Sequence, residues 1–339
     1  MTFKRNALIL FILWLFLMLA IFPAALAGEY AIDSSTAMQL VWAKLWGLPT
    51  NHFPKVQEVI IWKLRLPRMI LALTTGIALS VAGTAYQACF RNPLVEPYIL
   101  GVSSGAAFGA ALAIVFPFLF PQIQISAFLF AFLAVGVTYS LAYDRHHTSS
   151  IALILSGIIV GALFSAAVGI MKYLAEDTQL REITFWMMGG LHYANWDSAR
   201  INFFAVVPCF LFLWLFGWKL NLLSLGDDES RSLGLNPSLM RFVVVFVATL
   251  AVAICVSLTG IIAWVGLMMP HAARMLLGSD HRWVIPGAAM MGAIYLLLCD
   301  TLARTLTGSE IPIGIITSIV GAPYLLWLLR SKGKTLYGM

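Results

Sequence analysis

The sequence predicts an all-α polytopic membrane protein of about ten transmembrane helices, and three observations carry that prediction. Of the 339 residues, 61% are hydrophobic and only 11% are charged, whereas a soluble domain carries roughly 25% charged residues. The apolar residues come in runs close to the ~20 that a helix needs to cross a bilayer. The Lys and Arg residues fall singly at the edges of those runs, as topogenic charges do. A net charge of +6 spread this thinly does not mark a nucleic-acid surface.

The runs lie at 7–27, 66–90, 97–117, 123–143, 151–174, 201–220, 240–260, 261–278, 284–306 and 312–330. Each is read as a helix, because a spanning segment must satisfy its own backbone polar groups. The first follows Lys4 and Arg5 and ends in Ala25-Leu26-Ala27, which resembles a signal-peptide cleavage site. Its length exceeds the ~7–15 residues of a signal h-region, so it is read as a retained first span. The third follows Pro93 and Pro97, which break one helix and can open the next. The stretch 240–278 is one long apolar run, and its division into two spans is the weakest boundary.

Both chain ends are basic (Lys4 and Arg5; Arg330, Lys332 and Lys334). With both termini cytoplasmic the number of spans is even, and ten fits. This orientation also puts Arg145, Lys219, Arg231, Arg241, Arg274 and Arg282 inside, while the outer loops 118–124 and 258–262 contain no Lys or Arg. No Gly/Ser linker divides the chain, so residues 1–339 are read as a single permease-like membrane domain. Gly83, Pro93, Leu100 and Gly101 recur as Gly260, Pro270, Leu277 and Gly278 at a constant offset of 177 residues. In the ten-span reading the two copies run in opposite senses, which predicts an inverted internal repeat.

The run Gly101–Gly105 reads "GVSSG" and matches the G-x-S-x-G elbow of serine hydrolases. No strand precedes it, and nothing places His271, the one intramembrane histidine, near Ser103. The better reading is packing. Gly101, Gly105 and Gly109 are spaced by four and form a small-residue stripe on one helix face. Cys89, Cys209, Cys255 and Cys299 lie in or beside apolar runs with no C-x-x-C pair, so neither a disulfide framework nor a metal site is expected. His146 and His147 fall in an inner loop, and His192 is read as a solvated outer-loop residue.

"RLPRMILALTTGIALSVAGTAYQACFRNPLVEPYILGVSSGAAFGA" (Arg65 to Ala110) resembles the signature of FecCD-type permeases, the membrane subunits of ABC importers for ferric siderophores, haem and cobalamin. "FWMMGGL", "LSLGDDESRSLGLN", "GLMMPHAARMLLGSDHR", "CDTLART" and "EIPIGIITSIVGAPYLLWLL" resemble further family blocks in order. The resemblance implies a homodimer of ten-helix subunits in the bacterial or archaeal cytoplasmic membrane. It also implies two copies of a separate ABC ATPase, a periplasmic substrate-binding protein, and an iron chelate as cargo, with ferric siderophore first and haem or cobalamin after it. The chain has no G-x-x-x-x-G-K-[ST] phosphate loop. It is therefore expected to be no enzyme and to hold no cofactor, with ATP and Mg on the partner ATPase.

Three sites follow from the resemblance. Arg65, Arg68 and Arg304 would receive acidic residues of the binding protein, a task suited to the planar guanidinium fork; the alternative for Arg304 is an ion pair with Asp300 one turn earlier. Residues 221–238 would form the cytoplasmic ATPase-coupling loop. There Gly226 and Gly234 make turns, Leu225, Leu233 and Leu235 act as apolar anchors, and Asp227, Asp228 and Glu229 favour a helix N-terminus. Ser156, Ser165, Met171, Thr317 and Ser318 would line the conduit on spans 5 and 10. A proton-coupled secondary transporter is the alternative function, drawn from the inverted repeat and the intramembrane Asp300.

Overall fold

The computed structural model describes residues 2–28, 30, 32–143, 149–307 and 309–336; Arg145, His146 and His147 lie outside them. Among the described residues the regular structure is helical, with loops between the helices and no strand. In order the helices are α1 (Thr2–Leu26), α2 (Ser34–Leu45), α3 (Lys55–Glu58), a π-helical segment (Val59–Arg65), α4 (Leu66–Phe90), α5 (Val102–Val115), α6 (Ile123–Ala142) and α7 (Ser150–Leu174). They continue with α8 (Asp177–Met188), α9 (Trp196–Leu215), α10 (Gly217–Leu225), α11 (Asp227–Ser232), α12 (Pro237–Thr259), α13 (Val265–Leu277), α14 (His281–Thr305) and α15 (Ile313–Leu336). Among the described residues, α1, α4 with its π-helical lead-in, α6, α7, α9, α12 and α14 are long and apolar enough to cross a membrane.

The long run 240–278 divides at Gly260–Trp264. The two helices beside the breaks, α5 with 14 residues and α13 with 13, reach about 20 Å at 1.5 Å per residue, short of a ~30 Å hydrocarbon layer. Non-helical backbone at such depth must be satisfied by protein. Here the two breaks satisfy each other. The Tyr98 hydroxyl, in the loop after α4, donates to Ile262 O (2.9 Å) and accepts from Ile262 N (3.3 Å) in the loop after α12. Gln87 Nε2 donates to Val95 O and Thr138 Oγ1 to Leu100 O.

Contacts between helices fix their relative senses. Thr74 and Thr75 lie near Asn202, which accepts from Cys255, while Tyr86 bonds Thr249, so α4 and α12 are antiparallel. Phe132 meets Phe246 and Tyr139 meets Phe242, which makes α6 antiparallel to α12. Side chains at Gly105 and Gly109 would strike Phe130 and Ser126, so α5 opposes α6; Gly157 and Gly161 meet Ile99 and Ser104, so α7 runs with α5. Likewise α13 and α15 run with α4, and α14 opposes it. The four helices α4–α7 (25, 14, 20 and 25 residues) therefore recur in inverted sense as α12–α15 (23, 13, 25 and 24 residues).

The inverted repeat is present, but the 177-residue offset is not its register. Gly83 lies inside α4, whereas Gly260 caps the end of α12; Pro93 is in a loop, whereas Pro270 is inside α13; Gly101 opens α5, whereas Gly278 closes α13. What Gly83 does instead is pack. A methyl there would overlap Gly266 O, and one at Gly76 would overlap Gly292 O. These approaches let α4 sit at van der Waals distance from α13 and α14 in the centre of the core.

The "GVSSG" stripe is corrected in one position. Methyls at Gly105 and Gly109 would overlap the carbonyls of Phe130 and Ser126, so both are packing glycines against α6. Gly101 is not: a methyl there would meet nothing closer than 3.6 Å, but its φ of +87° requires glycine to open α5. The Ser104 hydroxyl turns back to Gly101 O at 3.1 Å, as a helical serine does.

Candidate functional site

At the end of the bundle opposite the chain termini, the C-terminus of α1, the start of α4, the end of α14 and the loop before α15 converge on one charged network. Asp300 on α14 is fully buried. One of its carboxylate oxygens accepts from Arg68 Nε at 2.7 Å and the other from Arg304 Nε at 3.1 Å. Arg68 turns its other edge to Glu310, with Nη1 at 2.7 and 2.8 Å from the two carboxylate oxygens. Sequence reading paired Asp300 with Arg304 alone. The second partner, 232 positions away, comes from the antiparallel packing of α4 on α14.

The remaining donors close the end of α1. Arg65 Nη1 donates to Ala25 O (3.0 Å) and Leu26 O (2.8 Å), and Nη2 to Tyr30 O (2.7 Å). Arg304 donates to Ala27 O (2.9 Å) and Ala24 O (3.2 Å). The last carbonyls of a helix have no intrahelical partner and carry the negative end of its dipole, so two guanidinium groups are well matched to them. Gly28 makes room: its φ is +147°, and a methyl there would come 2.8 Å from Arg65 Nη2. The Ala25-Leu26-Ala27 stretch thus supplies acceptors to this network.

All three arginines are nearly buried, at 6–8% exposure, and each is already engaged. None of the three stands free on the surface. The group they leave accessible is Glu310, whose side chain is 46% exposed. Above the network lies a cavity of about 340 Å³ lined by Tyr30, Leu64, Arg65, Arg68, His192 and Glu310. Partial desolvation lowers the His192 pKa, with Glu310 opposing the shift and Arg68 adding to it. Sequence reading missed Glu310 and gave His192 no neighbours. The lone acid of "EIPIG", placed just before an apolar run, was the available signal.

At the opposite end, residues 221–238 form the last turns of α10, the short α11 and the entry to α12. Gly226 (φ +142°) breaks α10 from α11 and Gly234 (φ +82°) turns the chain into α12. Asp227, Asp228 and Glu229 occupy the first turn of α11, and Asp227 pairs with Arg241 at 2.8 Å, an arginine only 1% exposed. Leu225 (58%) and Leu233 (57%) project from this polar segment, while Leu235 is half-buried against the main core. Asn221 on α10 donates to Asp280 Oδ1 (2.7 Å) and accepts from His281 N (2.8 Å), joining α10 to the start of α14. Burial works against ionising Asp280, but hydrogen bonds from Arg282 and Asn221 outweigh it and hold its pKa down at about 2.

The conduit candidates do not share one surface. Ser165 is exposed on α7 and Ser318 is half-exposed on α15, where its hydroxyl donates to Gly314 O at 2.7 Å. Thr317 is fully buried and bonded to Gly314 O, Met171 packs on Ala111, Ile114 and Ile183, and Ser156 is buried beside Gly157, which abuts Ile99. Thr317, Met171 and Ser156 therefore pack within this chain and do not present a polar lining. Among the described residues, no cluster of three or more His, Cys, Asp or Glu side chains could hold a metal ion.

The model of the FecCD transport family matches residues 12–331. The chain is similar to the molybdate import system permease protein MolB of Haemophilus influenzae, with 38% identity over 96% of this chain and 97% of that protein. It is also 38% identical to the hemin transport system permease protein HmuU of Yersinia pestis, over 86% of this chain and 89% of that one. Among solved structures, a metal-chelate type ABC transporter in an inward-facing conformation superposes with a TM-score of 0.84 at 36% identity, covering 95% of this chain and 98% of the other.

Proposed function

The chain belongs to the FecCD transport family, and we propose that it works as the permease subunit of an ABC importer that carries an iron chelate, a ferric siderophore first, into the cytoplasm. Two copies would form the membrane unit, two ABC ATPase subunits would seat on the coupling segment, and a periplasmic binding protein would deliver the cargo. With both termini cytoplasmic, the arginine network faces the periplasm and Leu225 and Leu233 face the ATPase. ATP and Mg belong to that partner.

The observation that carries the reading is the arginine network at the mouth of a cavity, on the end opposite the coupling segment. It also refines the docking step. Arg65 and Arg304 hold α1, so the guanidinium edge a binding protein can claim is the one Arg68 lends to Glu310. Docking by an acidic side chain then exchanges one carboxylate for another at nearly constant charge, which avoids leaving a buried arginine unpaired. Release of Glu310 removes the side-chain tie between Arg68 and the segment just before α15. Asp300 suits no proton relay here, because both its oxygens are occupied by guanidinium donors.

Molybdate is a second reading of the cargo, supported by the similarity to MolB over nearly the whole chain. The test is ATP-dependent uptake by permease, ATPase and binding protein reconstituted together in vesicles. Arg65→Glu with Arg68→Glu is expected to impair uptake while the permease–ATPase complex stays assembled. Glu310→Gln is expected to tighten binding-protein docking several-fold. Transport by the chain alone, driven by a proton gradient without ATP, would overturn the importer reading.

A further inference from the structure

Tryptophans mark where the bilayer ends. Trp196 opens α9 and Trp214 lies near its close; the 20 residues of α9 span about 30 Å at 1.5 Å per residue, the thickness of a hydrocarbon layer. Tryptophans at both ends of such a span belong at the two lipid–water boundaries. Trp62, in the π-helical segment, packs on Trp196 with ring centroids 5.2 Å apart, so Trp62 and its neighbour Ile61 lie at the outer boundary. Glu58 stands about one turn farther out on the same continuous helix, and it pairs with Lys44 of α2 at 2.5 Å. Helix α2 therefore rests at the level of the outer head groups.

This helix carries more apolar surface than its own packing uses. Asp33 caps it, accepting from Ser35 N and Thr36 N, and Ala37, Leu40 and Ala43 are buried in a cluster with Ile61. A second stripe, Met38, Trp42, Leu45 and Trp46, has the i, i+4, i+7, i+8 spacing of a single helix face, and all four are exposed. Trp42 and Trp46 lie against each other with centroids 5.6 Å apart.

Between that stripe and α1 runs a groove of about 360 Å³. Helix α1 forms one wall from Met18 to Leu26, about 12 Å of helix, and Ile61, Leu66 and Met69 form the floor. Among the described residues no charged side chain lines it. The groove thus opens at the outer boundary and runs down to acyl-chain depth. It is continuous with the lipid-facing surface of α1, whose apolar window has a mean hydropathy of 2.8 and is only 11% buried. The exposed side chains of α1, from Trp14 round to Phe16, cover about 200° of the helix at 100° per residue. One partner helix covers a narrower seam; lipid covers such an arc.

We propose that this groove seats one acyl chain of an outer-leaflet phospholipid, with the head group beside the Trp42–Trp46 pair. The proposal needs only that the chain crosses a membrane, and it stands apart from the import reading above. An acyl chain asks for no hydrogen-bond partner, follows the curved gap between two helices, and covers apolar surface of α2 that water would otherwise meet. The seat also touches the arginine network from its apolar side. Ala25 and Leu26 line the groove, and their carbonyls accept from Arg65. The π-helical segment, a form frequent at functional sites, carries Ile61 to the groove and Arg65 to α1. A seated chain therefore braces the end of α1 on which Arg65 closes.

The test places the purified full chain in nanodiscs of phosphatidylcholine brominated near the top of its acyl chains. Bromine quenches an indole only at close range, and comparing the parent with Trp42→Phe, Trp46→Phe isolates these two among the 11 tryptophans. Their share of the emission is expected to be largely quenched. Native mass spectrometry after mild detergent release is expected to find phospholipid retained on the parent. Retention should fall about tenfold in Met38→Trp, Val41→Trp, which fills the groove; that is the contribution of about two buried methylenes. Met38 is exposed and Val41 half-buried, so the larger rings enter the groove and not the packed face of α2. Unquenched Trp42 and Trp46 would put α2 in water and overturn the proposal. Quenching without retained lipid would reduce the groove to ordinary bilayer contact and overturn the seat. A filled variant that keeps its lipid but loses self-association, or loses docking of a periplasmic protein, would assign the face to that partner instead. The quenching comparison rests on two conservative changes and decides the matter even where the filled variant does not fold.

Discussion

Replacing Asp300 by Asn is the sharpest perturbation of the charged network. The carboxylate is fully buried and divides its two oxygens between Arg68 and Arg304, each of them 8% exposed. Removing one partner of a buried ion pair costs about 3–5 kcal/mol, because it strands the opposite charge. Arg68 keeps Glu310, so the stranding falls on Arg304 and the expected loss is about 3 kcal/mol, at the lower end of that range. Against a total stability of roughly 5–15 kcal/mol that is a large share, and it corresponds to a drop of about 6 °C in Tm at about 2 °C per kcal/mol. The assay is thermal unfolding in detergent followed by a thiol-reactive dye, since all four cysteines are free and buried. Adding Arg304→Met to Asp300→Asn removes the stranded guanidinium, so the double variant should be more stable than the summed single losses by at least about 1 kcal/mol. A single variant within about 0.5 kcal/mol of the parent, or strict additivity, would refute the reasoning.

Gly105→Leu should abolish recovery of monodisperse protein, because its Cβ alone overlaps Phe130 O and lies 2.7 Å from the Ala134 Cβ, where backbone cannot yield; normal yield would remove the packing assignment. Leu225→Glu with Leu233→Glu should leave the chain folded, both side chains being exposed, yet lower co-purification of the ATPase at least tenfold; unchanged stoichiometry would count against the coupling assignment. The Asp280 cap contributes stability that is present above its unfolded pKa of 3.8 and lost as pH falls through about 2. Asp280→Asn should therefore flatten the acid limb of thermal stability in that window, and an unchanged limb would place the acid sensitivity elsewhere.

The helices were legible in the sequence because spanning a bilayer demands long apolar runs, and the network's arginines were legible as charges at the ends of those runs. Arg304's partner was legible too, since Asp300 stands one turn before it; the partners of Arg65 and Arg68 were not. Arg68 and Asp300 meet only because α4 and α14 pack antiparallel through Gly76 and Gly292, and no local pattern encodes a pairing across 232 positions. The repeat was visible as helix-shaping residues, yet its register was misplaced because Gly and Pro recur for different reasons: Gly83 for close packing, Gly260 for a positive φ, Gly101 for opening a helix. The conduit candidates were hard to choose for a related reason. On α7 and α15 apolar residues cover all sides, so periodicity does not say which serine faces inward, and Thr317 and Met171 proved to be interior. The turn at 221–238 was readable, because a polar run set between two apolar spans must leave the bilayer and turn.

The placement of close contacts marks out a fixed part of the chain. Helix α1 is fastened to the core at both ends: Asn6 donates to Leu277 O at one, and Arg65 and Arg304 cap it at the other. Glycine contacts lock α4 to α13 and α14 between those ends. At the coupling end, Asn221 and Asp280 tie α10 to α14, so a push on α10 reaches the helix that carries Asp300 and Arg304. Glu310 on Arg68 and Ile311 N on Ala303 O tie the segment just before α15 to this frame. Alternating access in the proposed importer then needs no strain in the buried network. The frame of α1, α4, α13 and α14 would carry force between the two ends, with α15 joined to it through Thr317 and Gly321.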